Sequence, residues 1–80
     1  METHLTGIEA RAVAKPFMIS RTDLKTGRHT FQTTRFALVY ADENDQVMSL
    51  QKADLALGQL VHVVGKTADG LVIKKFEPHQ

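Results

Sequence analysis

The chain has no cysteine, no long hydrophobic run and almost no net charge, and each absence removes a class of protein. Without cysteine there is no disulfide framework of the kind that staples small secreted domains, which favours a reducing compartment. No apolar run approaches the ~20 residues that a membrane-spanning helix needs. The opening METHLTGIEARAVAK carries acids and a histidine where a signal peptide would have a basic head and an apolar stretch. The expectation is a soluble, cytoplasmic protein. A net charge of +1 in 80 residues says little about partners, so the distribution of charge matters more than its sum.

Catalytic signatures are also missing. His4, His29, His62 and His79 are widely spaced, without the i, i+3 or i, i+4 pairs of a helical metal site. Asp42, Glu43 and Asp45 read as a solvated acidic turn rather than a cation site. Neither G-x-S-x-G nor a Walker loop occurs. The sequence therefore points away from an enzyme and calls for no cofactor or metal.

What is present is period-two apolar patterning, the mark of strands. Ile8, Ala10, Ala12 and Ala14 alternate with Glu9, Arg11, Val13 and Lys15 in a first strand, with Pro16 setting an edge or bend. HTFQTTRFALVY, rich in Thr, Phe, Val and Tyr, reads as one long second strand. SRTDLKTGR before it reads as a loop in which Gly27 takes positive φ. ADENDQ forms a turn and VMSLQK a short third strand. In ADLALG, Asp54 could cap a single helical turn and Gly58 could end it. LVHVVGK and LVIKKFEP form a final hairpin across Asp69-Gly70. Five short strands in a single domain over residues 1–80 are too few for a two-layer sandwich, and closing the sheet on itself removes exposed edges. The expected fold is all-β, a small five-stranded OB-fold barrel, with an SH3-like barrel as the structural alternative.

The chemistry gathers in RTDLKTGRHTFQTTRF, residues 21–36. Arg21, Lys25, Arg28 and Arg35 surround one acid, Asp23, and Phe31 lies among them. Single-stranded nucleic acid requires cations along its phosphates and flat rings for its unpaired bases. On one continuous strand Phe31, Thr33 and Arg35 would share a face, with Phe31 and Arg35 about 13 Å apart at roughly 3.3 Å per residue. Phe31 serves equally as core filling. Tyr40 is balanced between base stacking and capping the barrel end, and Phe17 reads as a lid. Lys74-Lys75 either extends the basic surface or guards an edge strand.

The run KTGRHTFQTTRFALVYADENDQVMSLQ, followed by LALGQLVHVVGK and LVIKKFEP, resembles the gene V single-stranded-DNA-binding proteins of filamentous phages. The resemblance implies an OB-fold homodimer that coats single-stranded DNA during phage or plasmid replication in a bacterial host. It assigns the basic loop to Arg21, Lys25 and Arg28, the stacking ring to Phe31, and a second aromatic to Tyr40. The family builds its dimer on a long terminal ribbon carrying another ring; here that place holds the short turn KTADG. Two alternatives accompany this expectation. One is RNA binding, since no group here identifies itself as a reader of the 2′-hydroxyl; the other is a small barrel that docks a partner protein.

Overall fold

Buried positions alternate with more exposed ones along Leu60–Gly65, whereas Leu71, Val72 and Ile73 are buried in succession, and this hairpin organises the sheet. The computed structural model describes residues 15–31 and 34–77, the side chains at 31 and 34 excepted. The expected first strand over residues 8–15 lies outside them except for Lys15, which is in a bend. The described elements are β1 (Phe17–Met18), α1 (Arg21–Thr26), β2 (Arg28–Phe31), β3 (Thr34–Ala41), β4 (Val47–Ser49), β5 (Leu60–Thr67) and β6 (Gly70–Lys75).

The strands follow the order β1-β5-β6-β3-β2, and β3 and β6 run parallel while the other pairs are antiparallel. That order, with a single parallel pair, is the strand arrangement of an OB-fold, here a curled half-barrel among the described residues. β4 pairs with Val39–Ala41, and β6 pairs with Leu38–Tyr40, so the two flank β3 on opposite edges.

The concave side holds the core. Ile19, Leu50, Val61, Val63, Leu71 and Ile73 are essentially fully buried, joined by Leu38, Tyr40 and Leu55. Each such aliphatic side chain contributes about 1.5–3 kcal/mol on leaving water. Leu50 and Leu55 come from the connection between β4 and β5, which therefore packs as core rather than as a loose loop. Its C-terminal end is tied to the segment after β1 by Ile19 N–H donating to Gln59 O and Gly58 N–H donating to Ile19 O.

Asp69-Gly70 makes the expected tight turn, with Thr67 opposite Gly70. Gly70 has φ +141°, and a Cβ there would stand 2.5 Å from the Ala37 carbonyl oxygen. Only glycine combines that backbone angle with so close an approach of β3.

Three local expectations are corrected. HTFQTTRFALVY is not one strand but a hairpin: Arg28 pairs with Ala37, His29 with Phe36, Thr30 with Arg35 and Phe31 with Thr34. Its β-favouring residues run unbroken, with no glycine, asparagine or aspartate to mark the reversal. SRTDLKTGR is not a loop but carries α1, started by a reciprocal capping box between Ser20 and Asp23 and ended by Gly27 at φ 71°. ADLALG forms turns without a helix, although Gly58 does take positive φ, at 83°.

Candidate nucleic-acid interface

α1 is only 6 residues long, too short to hold its shape alone. Its inner side carries Asp23, buried at 4% exposure, and the half-buried Leu24; Arg21 and Lys25, one turn apart, are exposed. The Asp23 carboxylate is fully engaged. Oδ2 accepts the Ser20 N–H at 2.9 Å, and Oδ1 accepts from His29 Nδ1 at 2.8 Å. The His29 ring in turn stacks on Phe17, with centroids 4.4 Å apart and an interplanar angle of 21°. The one acid within the basic stretch is therefore removed from its surface.

On β2 and β3, register fixes which residues stand together. Arg28, Thr30, Arg35 and Ala37 occupy one set of paired positions, and His29, Phe36, Leu38 and Tyr40 belong to the alternate, core-side set. Arg28 and Arg35 are thus diagonal neighbours on the outer wall, both exposed. Among the described residues no carboxylate lies within ion-pair distance of Arg21, Lys25, Arg28 or Arg35. The outer face of these two strands and the preceding connection form the part of OB-folds that commonly takes oligonucleotides and oligosaccharides.

The aromatic candidates divide differently. The backbone of Phe31 ends β2, paired with Thr34, and its side chain lies outside what the structure describes, as does Thr33. Position 31 falls two residues after His29 and so alternates with Arg28 and Thr30. The expected line of Phe31, Thr33 and Arg35 along one strand does not exist, because the chain reverses between 31 and 34. Tyr40 is a core residue at 7% exposure that also lines the hollow beside Asp42, Glu43 and Lys75, away from the exposed Arg28 and Arg35 set of positions. Phe17 packs half-buried against the core and His29, as expected of a lid.

Lys74 is paired with Asp45 at 2.7 Å. Its hydrogen bond to that carboxylate, with further attraction from Asp42 and Tyr40, raises its ammonium pKa above the ordinary lysine value against a smaller desolvation effect. β6 lies between β5 and β3, so Lys74 and Lys75 do not guard an edge strand. His62 is a half-buried strand residue in edge-to-face contact with Phe76. Among the described residues no group of three His, Asp or Glu side chains could hold a metal ion.

The residue missed at the sequence level is His29. Ser20-x-x-Asp23 carries the capping-box spacing, and that signal identifies a helix start whose acid turns toward the chain rather than toward water. The fold and this surface together define a small OB-type barrel wall carrying cations that have no carboxylate partner among the described residues. No family model, curated protein or solved structure matches the chain. No helix among the described residues is long and apolar enough to cross a membrane.

Proposed function

We propose that this protein binds single-stranded DNA with little sequence preference and protects it during replication of a phage or plasmid in the bacterial cytoplasm. The observation that carries the reading is that Asp23, the one acid of the stretch, is buried against His29 while Arg21, Lys25, Arg28 and Arg35 are all exposed. A phosphate chain meets there four exposed cations with no ion-pair partner among the described residues. The OB strand order supports the reading by analogy of fold, and so does the resemblance to gene V proteins. In this reading Arg21, Lys25, Arg28 and Arg35 hold phosphates and Phe31 stacks on a base.

Titration with oligo-dT across salt concentrations tests the proposal. Four phosphate contacts predict a log–log slope of about −2.8, or roughly a 50-fold loss of affinity between ~50 and ~200 mM salt. Affinity that ignores salt over this range excludes the proposal. Parallel titrations with oligo-rU and duplex DNA separate DNA binding from RNA binding and from duplex recognition. A second reading, docking of a partner protein, is favoured by Met18 and Val64, which are 63% and 46% exposed on the β1–β5 wall. Met18→Ser with Val64→Ser leaves oligo-dT affinity unchanged if nucleic acid is the partner of the cationic wall alone.

A further inference from the structure

Among the described residues Asp23 is the single buried charged side chain, and capping alone does not require its position. One oxygen suffices for the Ser20 N–H; the other reaches across to His29 on β2. His29 lies on Phe17 of β1, and β1 is paired to β5 through Phe17 and Val61. Three elements, β1, α1 and β2, thus meet through one ring, one imidazole and one carboxylate. A helix of 6 residues has no rigidity of its own, so its orientation is set by such ties. Further ties among the described residues are the packing of Leu24 against the core, a 2.9 Å bond from Gln51 Nε2 to the Lys25 carbonyl, and the Leu38 N–H donating to the Gly27 carbonyl at 2.8 Å.

We propose that Phe17, His29 and Asp23 form a clamp that positions Arg21 and Lys25 on α1 against Arg28 and Arg35 on the sheet, so that all four act on one phosphate run. The clamp rests on the nucleic-acid reading above and adds to it three positioning residues that need not touch the ligand. Rotation of α1 about its axis moves Arg21 and Lys25 together, because they share one face. Losing the His29 bond therefore removes both contacts at once.

The test is the salt dependence of oligo-dT binding by the full chain. His29→Phe keeps a ring for Phe17 and removes the donor to Asp23. The expected slope falls from about −2.8 to about −1.4, so the loss between ~50 and ~200 mM salt shrinks from roughly 50-fold to roughly 7-fold. Adding Arg21→Ala and Lys25→Ala to His29→Phe should change the slope no further, whereas the same pair in the native chain should halve it. His29→Asn, whose amide can donate from the place of Nδ1, should restore the native slope. Asp23→Asn, with one charged acceptor lost and the shape kept, should shift the slope in the same direction as His29→Phe and carries the test if that variant does not fold. Native slopes in both His29→Phe and Asp23→Asn overturn the clamp while leaving the binding proposal intact. Salt-independent binding by the native chain overturns the binding proposal and the role of the clamp with it.

Discussion

Asp23 occupies a position that would weaken a phosphate-binding surface if it faced water. Buried, it ends a helix start and ties it to β2. Its removal leaves the Ser20 N–H and His29 Nδ1 without their acceptor. Asp23→Ala should therefore cost about 1–3 kcal/mol, from the lost helix cap and the lost hydrogen bond to His29. Chemical denaturation measures this as a lower midpoint at unchanged m-value. Phe31 makes a different prediction. If its ring stacks on a base, Phe31→Ala weakens oligo-dT binding by about 1–3 kcal/mol and leaves the salt slope unchanged. A loss of folding stability without a loss of affinity in the folded fraction would assign the ring to the core.

The β5–β6 hairpin shows how a single turn sets the geometry of its neighbours. Gly70 both closes the turn and lets β3 approach, and Gly70→Ala brings a Cβ against the Ala37 backbone at 2.5 Å in a conformation that L side chains rarely adopt. The substitution should destabilise the fold by about 3 kcal/mol or more, visible as a lower thermal midpoint. This element was legible in the sequence because Asp69-Gly70 separates two β-branched runs. The β2–β3 hairpin was not, since residues 28–41 contain no turn-forming dipeptide, and the reversal shows only in the antiparallel pairing of the two strands. α1 was hidden for the opposite reason. Its capping signals were present, but 6 residues give too little periodicity to separate a helix from a turn-rich loop. The cations of the candidate site could be read directly from the sequence, whereas the inward turn of Asp23 depends on His29 arriving from β2.

At the scale of the molecule, the curled sheet divides charge among its faces. Among the described residues, the cations of the first connection and of the β2–β3 wall have no carboxylate within ion-pair distance. At one end of the barrel Lys75 shares a hollow with Asp42, Glu43 and Asp54, and Lys74 is tied to Asp45. Among the described residues the charges thus fall into one surface without ion-paired acids and one mixed end. The measurement that tests this division most directly compares two double variants, each removing two positive charges. Arg28→Ser with Arg35→Ser should flatten the oligo-dT salt slope by about 1.4, while Lys74→Ser with Lys75→Ser should leave it unchanged. Equal flattening by both pairs, or by neither, would contradict the assignment of phosphate binding to the β2–β3 wall.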